Sequence, residues 1–419
     1  MMEINFNNSK IGKDEEGYYF LVPLSNDRTE KYYVEEILEE YLESDNKVNI
    51  SISTETHETN FPNEQKYGEA EINRVRSELD LQPKYTHLDP KLNVHEYLHS
   101  LYQKYPPALQ FKAKTKEEME KWRTEARAKL IELIDYDYKK EPIEVEWGPK
   151  SFIDGINLQK ITFKTGEFIY TTGILAYQEN INKDNPAPGV VCVHGHNKGK
   201  ICTIGMYESS SDSYYGFELA KRGFVTLSLD EWGWGEREGR RRNLGNPEHH
   251  YSLAALLLGK TAIGIRAVDV SKSIDVLESL DFVTNKFGVI GQSGGGTTSA
   301  FSSAIDDRIY AAVISGYFCD FYESIFSIGH CSCNYIYGIL KHMDLPDIVS
   351  LRAPKPTFIV SGEFDPIFPQ VGVQSAYKKV QNAFDVAGNK DNLEIDVIKG
   401  KGHVFRGDFS YPFLEKHLK

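Results

Sequence analysis

The chain has 419 residues, of which 40% are hydrophobic and 26% are charged, and its formal net charge is −13. This composition excludes collagen-like, disordered and membrane-spanning chains and predicts a soluble globular protein with a sizeable core. The acidity is concentrated in residues 1–90, which contain 20 Asp and Glu against nine Lys and Arg. Because such a segment lacks a basic patch and would be repelled by an anionic lipid surface, we expect neither nucleic acid nor a membrane as a partner.

The N-terminus and the cysteines indicate a reducing compartment. Residues 1–8 contain no basic region followed by an apolar stretch, so we expect no signal peptide and a cytoplasmic location. The five cysteines are an odd number in a long chain, which argues against a disulfide scaffold. Cys331 and Cys333 lie beside His330, but no second pair follows at zinc-finger spacing. We therefore interpret them as buried thiols and expect no metal and no cofactor.

Residues 1–90 are predicted to form a small α+β appendage. Aromatic and apolar residues at 18–22 predict a strand, and apolar residues at helical spacing predict an amphipathic helix over 27–43. The polar segment 51–65 is expected to be mobile. The apolar stripe of the helix needs a partner, which is either the rest of the chain or a second copy in a homodimer.

Residues 91–141 are predicted to form an N-terminal helical extension. Apolar residues recur at helical spacing over 94–102. A second helix is predicted after Thr115, which together with Glu118 has the spacing of a capping box ahead of an apolar stripe. We expect both helices to pack on the domain that follows.

From residue 142 onward, strands alternate with helices, a pattern typical of a largely parallel sheet with helices on both faces. Eight strands are predicted, at 158–163, 168–177, 189–193, 225–229, 287–290, 311–314, 357–360 and 395–398. The first two are expected to pair as a hairpin, and one long helix is expected between Tyr251 and the strand that ends at Gly291. The sequence therefore predicts an α/β catalytic domain over 142–419, with a mostly parallel eight-stranded sheet flanked by helices.

The strongest chemical signal is Gly291-Gln292-Ser293-Gly294-Gly295, where an apolar strand leads directly into a helix of small residues. This G-x-S-x-G pattern is typical of a nucleophile elbow, a tight turn that exposes the serine Oγ at the N-terminus of a helix. The alternative is a glycine-rich turn with an ordinary surface serine. The presence of partners for Ser293 decides between the two.

A serine hydroxyl needs an imidazole base, and that base needs a carboxylate to orient it. Asp365 follows one predicted strand and His403 follows the last one, so Ser293, Asp365 and His403 occur in the chain order nucleophile, acid, base. We predict these three roles for them. Glu363 and Asp230 also follow strands and are the alternative acids.

An acyl-transfer intermediate also needs two backbone N–H donors for its oxyanion. Gly294, directly after the nucleophile, is predicted to supply one of them. The second is predicted to be the N–H of His196, in the loop 194–200 that follows a buried strand. No carboxylate and histidine set accompanies His194 and His196 in the sequence, so we expect a structural role for His194 rather than metal binding.

With these residues the sequence resembles the α/β-hydrolase superfamily, and within it the acetyl-xylan-esterase-like and dienelactone-hydrolase-like branch. The resemblance covers about residues 92–419 and rests, beyond the three predicted catalytic residues, on the segments 193–199, 230–237, 315–319 and 330–335. It implies an α/β-hydrolase fold and a metal-independent serine hydrolase that acts on short acyl esters. A small-molecule or oligosaccharide ester is the expected substrate.

The sequence leaves open two alternative functions and two interpretations of the segment 230–242. The same catalytic residues would serve amide or peptide cleavage, and a ligand receptor that retains the fold is an alternative of a different class. In the segment 230–242, Trp232 and Trp234 are candidates for the wall of an acyl or alcohol pocket, and Arg237 is a candidate contact for a polar substrate. The alternative for this segment is a packed loop around a structural Asp230.

Overall fold

A computed structural model of the chain describes residues 10–14, 17–24, 28–34, 69–78, 93–207, 214–239 and 246–419. The chain divides into two compact units, Met1–Asp89 and Pro90–Lys419. Among the helices within the described ranges, none combines the length and the apolar composition that crossing a lipid bilayer requires.

The first unit contains a three-stranded antiparallel sheet and a helix. The strands are β1 Lys10–Asp14, β2 Gly17–Leu24 and β3 Arg28–Val34, in that spatial order, and the helix is α1 Glu69–Glu78. The strand predicted at 18–22 is confirmed as part of β2.

The amphipathic helix predicted over 27–43 is wrong where the structure describes it, because residues 28–34 form β3. In the antiparallel pairing of β2 with β3, Tyr18 lies opposite Val34 and Leu24 lies opposite Arg28. The Thr, Tyr and Val residues of β3 favour strands, and pairing with β2 holds residues 28–34 extended. Of the apolar stripe on which the helix prediction rested, only Val34 lies in β3. Residues 35–43 and the polar segment 51–65 lie outside the described residues.

The second unit is built on a nine-stranded sheet. The strands are β4 Val145–Ile153, β5 Ile156–Gly166, β6 Ile169–Gln178, β7 Ala187–Val193, β8 Val225–Leu229, β9 Val283–Gln292, β10 Ile309–Ser315, β11 Thr357–Gly362 and β12 Leu393–Ile398. Their spatial order is β12-β11-β10-β9-β7-β8-β6-β5-β4. The six strands from β12 to β8 are parallel, and β6, β5 and β4 continue the sheet antiparallel. The mostly parallel sheet and the β5–β6 hairpin are thus confirmed.

The sheet has nine strands rather than the predicted eight because the sequence does not reveal β4. This edge strand is mostly exposed and therefore lacks the apolar alternation of a buried strand. Gly148 and Pro149 interrupt it, and its pairing with β5 shifts register between Trp147 and Lys150. Proline is tolerated at an edge or a bulge but argues against a strand when only the sequence is read.

Helices flank this sheet. They are α2 Val94–Lys104, α3 Lys116–Ile134, α4 Lys200–Thr203, α5 Tyr215–Lys221, α6 Pro247–Leu257, α7 Ala262–Glu278, α8 Gly294–Ile305, α9 Leu345–Ser350, α10 Gln370–Ala387 and α11 Ser410–Leu418. The helices predicted at 94–102 and after Thr115 are confirmed. The single helix predicted after Tyr251 is two helices, since Gly259 adopts a φ of +75° and Thr261 caps α7 by accepting a hydrogen bond from Gly264 N.

Successive side chains of β7 point to opposite faces of the sheet, and their contacts show that helices cover both faces. Val191 and Val193 belong to a buried cluster with residues of α7, whereas Val190 and Cys192 belong to a cluster with residues of α5 and α11. Because the strands from β8 to β12 are parallel, their carboxyl ends meet at one edge of the sheet. The loops at that edge carry the predicted site residues.

Candidate active site

Ser293 lies on a strained turn between β9 and α8. Its φ and ψ angles are 57° and −117°, a conformation that a residue with a side chain rarely adopts. The turn closes so tightly that a Cβ added at Gly291 would lie 2.2 Å from the carbonyl oxygen of Gly295. A Cβ at Gly295 would in turn lie 2.0 Å from the carbonyl oxygen of Val193 in β7. Both glycines of the predicted elbow are therefore required by close backbone contacts.

This packing predicts that Gly295→Ala lowers the free energy of unfolding by about 1–3 kcal/mol, because the added methyl group must displace the β7 backbone. Gly329→Ala is the matched control, since a Cβ at Gly329 meets nothing within 4 Å. Urea unfolding followed by circular dichroism measures both variants. Equal stability of the two variants would contradict the proposed tight contact.

Asp365 and His403 form a hydrogen-bonded pair at the same edge of the sheet. His403 Nδ1 lies 2.8 Å from Asp365 Oδ2. The other carboxylate oxygen of Asp365 accepts hydrogen bonds from the backbone N–H groups of Ile367, at 3.0 Å, and Phe368, at 3.2 Å. The Asp365 side chain is 1% exposed and that of His403 is 25% exposed. The carboxylate is thus held in one orientation, and it holds the imidazole.

The His403 imidazole lies beside the elbow that carries Ser293. A Cβ added at Gly316 would lie 3.0 Å from His403 Cε1, and Gly316 directly follows Ser315, whose carbonyl oxygen accepts a hydrogen bond from Ser293 N. His403 also stacks on Phe368, with ring centroids 5.9 Å apart. Its Nε2 is buried and has no hydrogen-bond partner among the described residues. With Nδ1 hydrogen-bonded to Asp365, Nε2 is the nitrogen that can accept a proton.

The two alternative acids are engaged elsewhere. Glu363 forms an ion pair with Lys399 and accepts a hydrogen bond from Gly400 N, and these contacts lower the pKa of its carboxyl group. Asp230 is buried and accepts hydrogen bonds from Lys200 N at 2.7 Å and from Glu236 N at 2.9 Å. Of the three candidates, the structure places Asp365 on His403.

The loop 194–200 packs directly on the nucleophile elbow. A Cβ added at Gly195 would lie 3.4 Å from the Ser293 Cβ. Asp230 anchors the far end of this loop through the backbone N–H and the side chain of Lys200, both buried. A Cβ at Gly199 would lie 2.3 Å from Asp230 Oδ1, so the loop approaches Asp230 as closely as a glycine allows. Asp230 is therefore a structural anchor of the loop predicted to donate to the oxyanion.

The two histidines of this loop have different surroundings. His194 is fully buried, and its Nε2 accepts a hydrogen bond from Glu231 N at 3.0 Å. These contacts agree with the structural role predicted for His194. The His196 ring lies against the start of α8, because a Cβ added at Gly294 would be 2.7 Å from His196 Nε2. Burial lowers the pKa of both imidazoles and so favours their neutral form.

Comparison with known proteins assigns the family. The model of the Abhydrolase family matches residues 90–401. The chain belongs to the Abhydrolase family. The α/β-hydrolase fold and the resemblance predicted from the sequence are thereby confirmed.

Relatives of this Abhydrolase-family chain cover more than half of its length. YtaP of Bacillus subtilis strain 168, a provisionally assigned hydrolase, is 28% identical over 247 residues, which are 56% of this chain and 80% of YtaP. BF1801 of Bacteroides fragilis NCTC 9343, a provisionally assigned acetyl xylan esterase, superposes with a TM-score of 0.67 at 17% identity over 80% of this chain and 97% of that one. The acetyl xylan esterase of Paenibacillus sp. R4 gives a TM-score of 0.52 at 16% identity, covering 76% and 99% of the two chains. The two solved structures share the fold.

In this Abhydrolase-family site, the three residues predicted to contact substrate have unequal surroundings. Trp234 stacks on His196, with ring centroids 5.2 Å apart and an interplanar angle of 14°, so it lies beside the elbow. Trp232 packs edge-on against Tyr251. Arg237 forms a buried ion pair with Asp269, so its guanidinium is already paired within the protein. We retain Trp234 as a candidate pocket wall and interpret Arg237 as structural.

Sequence reasoning missed a set of buried charges near the elbow. Arg266 lies 3.3 Å from a carboxylate oxygen of Glu231 and 3.7 Å from one of Glu248. All three side chains are at most 2% exposed. They come from three separate segments with no common motif, so only the folded arrangement reveals the cluster.

Proposed function

We propose that this chain is a serine esterase that cleaves short-acyl carboxylic esters through an acyl-enzyme. The observation that carries the proposal is the hydrogen bond between the buried Asp365 carboxylate and His403, beside the elbow of Ser293. An imidazole with one nitrogen held by a carboxylate and the other free of partners among the described residues is suited to general-base catalysis.

In the proposed mechanism, Ser293 Oγ attacks the ester carbonyl carbon while its proton moves to His403 Nε2. Asp365 keeps the proton on His403 Nδ1 and stabilises the imidazolium. The N–H groups of His196 and Gly294 stabilise the oxyanion. His403 then protonates the leaving alcohol, and water, activated by the same imidazole, hydrolyses the acyl-enzyme.

Two observations support a short acyl group. Aromatic rings crowd the elbow, since His196 packs against Gly294 and stacks on Trp234, and His403 stacks on Phe368. Among solved structures of the same fold is an esterase named for acetyl groups on xylan. We infer a small-molecule or oligosaccharide ester as the substrate class.

A panel of p-nitrophenyl acetate, butyrate and octanoate, with the matched acetanilide, tests the proposal. We expect kcat/KM to be highest for the acetate and to fall with acyl length, with little cleavage of the anilide. A fluorophosphonate should label one peptide, which contains Ser293. Labelling of a different residue would contradict the assigned nucleophile, and preferred cleavage of the anilide would contradict esterase function.

A further inference from the structure

A cluster beside the elbow combines metal-ligating side chains from three separate parts of the chain. His196 follows β7, Glu248 lies in the first turn of α6, and Cys331 follows β10. One ligand atom from each of the three lies within 4.8 Å of the other two. We propose that these side chains bind one divalent cation of the zinc class. The proposal goes beyond the esterase function, and metal binding can be measured without any substrate.

The state of Glu248 is the first argument for a cation. This side chain is 0% exposed, and one carboxylate oxygen accepts a hydrogen bond from Ser252 Oγ at 3.0 Å and faces Arg266. The other oxygen, Oε2, is buried and has no hydrogen-bond partner among the described residues. Buried carboxylate oxygens are normally paired, hydrogen-bonded or bound to a metal. A cation between Glu248, His196 and Cys331 would satisfy Oε2.

The buried charges are the second argument. Arg266 and Glu231 lie next to Glu248, so the buried charged side chains here are one guanidinium and two carboxylates, with a formal net charge of −1. Binding of a divalent cation would release the thiol proton of Cys331 to solvent and leave a thiolate. The sum of the guanidinium, two carboxylates, thiolate and cation is then zero. A zinc-class ion therefore neutralises the site.

The ligand types fit this class of ion. Zinc binds imidazole, thiolate and carboxylate together, and sites with three protein ligands commonly complete their coordination with water. The Ser252 hydroxyl orients Glu248, as outer partners of metal ligands commonly do. The expectation of no metal rested on two grounds, the absence of a second cysteine pair at zinc-finger spacing and the absence of a carboxylate and histidine set around His194 and His196 in the sequence. The structure corrects the second ground, because it brings Glu248 to His196.

The competing interpretation is a simple hydrogen bond. Cys331 Sγ lies 2.9 Å from His196 Nδ1, a distance that a thiol donating to a neutral imidazole would also give. That contact leaves Glu248 Oε2 and the net negative charge unexplained. The two interpretations differ in whether Glu248 contributes to binding of a cation.

Cys333 provides a matched control within the same short segment. Its Sγ lies 3.5 Å from His196 Nε2, the nitrogen on the other side of the ring from Nδ1, and it is outside the three-residue set. The proposal therefore assigns Cys331 as a ligand and Cys333 as a neighbour. Replacing each cysteine by serine separates these roles.

The test uses the full chain, with a reductant that does not bind metals, and titrates Zn²⁺ by calorimetry and Co²⁺ by absorption spectroscopy. We expect one equivalent of Zn²⁺ and, with Co²⁺, a thiolate-to-metal charge-transfer band. Cys331→Ser should abolish the band. Both Cys331→Ser and Glu248→Gln should weaken Zn²⁺ binding about 100-fold or more, because loss of a ligand should cost at least as much as loss of a residue that only hydrogen-bonds to a ligand. Cys333→Ser should retain the band and the affinity.

Other results would overturn the proposal. They are absence of saturable binding of either ion, binding without a thiolate band, or equal loss of binding in Cys331→Ser and Cys333→Ser. If Glu248→Gln does not fold, the comparison of the two cysteine variants still decides, because Cys331 is only partly buried and serine is nearly isosteric. Loss of the proposed esterase activity in any variant does not bear on this test.

Discussion

Ser293→Ala is expected to reduce kcat for ester hydrolysis by about 10⁴-fold or more and to abolish labelling by a fluorophosphonate. The reason is that the proposed acyl-enzyme forms on Ser293 Oγ, and no other group can replace that bond. The fold should be retained, because the backbone hydrogen bonds of residue 293, from its N–H to Ser315 and to its carbonyl from Thr297 N, do not involve the side chain. Initial rates with p-nitrophenyl acetate and gel-based labelling measure the two effects.

Ser327→Ala is the matched control for this experiment. Ser327 is an exposed serine outside the site, so its replacement should leave both the rate and the labelling unchanged. Circular dichroism and thermal unfolding should show the same folded state for both variants. If Ser293→Ala kept the activity of the unchanged chain, the serine esterase proposal would be wrong, even though the fold is that of an α/β-hydrolase.

The central strands could be predicted from the sequence because they are buried on both faces. β7 and β11 are buried at every position, so their apolar runs stand out between loops without reference to any partner. The elbow could be predicted for a similar reason. A serine at this turn requires Gly291 and Gly295 within a few residues, so local sequence contains the constraint.

The two strands that the sequence did not predict, β4 and β3, depend on pairing with neighbouring strands for their conformation. β4 is exposed on most of its length and exists as a strand through its pairing with β5. β3 contains only Val34 of the predicted helical stripe, and its pairing with β2 determines its conformation. In both cases the stabilising hydrogen bonds join segments that local periodicity treats separately.

The candidate site shows the same division. That Ser293, Asp365 and His403 lie at one edge of the sheet could be predicted, because each follows a strand of a parallel sheet, whose carboxyl ends meet there. The proximity of His196 to Cys331 and Glu248 could not be predicted, since α6 and the segment after β10 approach His196 only in the folded chain. The order of strands along the chain predicts where Ser293, Asp365 and His403 lie, but it does not predict that Cys331 and Glu248 lie near His196.

Under the proposed mechanism, Asp365→Asn is expected to reduce kcat by about 10⁴-fold, as the same replacement does in a known Ser-His-Asp triad. In the structure, Asp365 Oδ1 accepts from two backbone N–H groups and Oδ2 accepts from His403 Nδ1. The single carbonyl oxygen of asparagine should take the Oδ1 position, because the backbone donors are fixed. Its NH₂ group would then face His403 Nδ1 and force the ring proton onto Nε2, where it blocks transfer from Ser293.

Glu363→Gln is the matched control, because it makes the same carboxylate-to-amide change two residues away on the same loop. Glu363 contacts Lys399 and Gly400 rather than His403, so its replacement should leave the rate nearly unchanged. Rates with p-nitrophenyl acetate, together with fluorophosphonate labelling rates, compare the two variants. Slower labelling of Asp365→Asn would show that Ser293 itself has become less nucleophilic. A larger loss in Glu363→Gln, with both variants folded, would mean that the orienting acid is Glu363 and that the Asp365–His403 hydrogen bond does not serve catalysis.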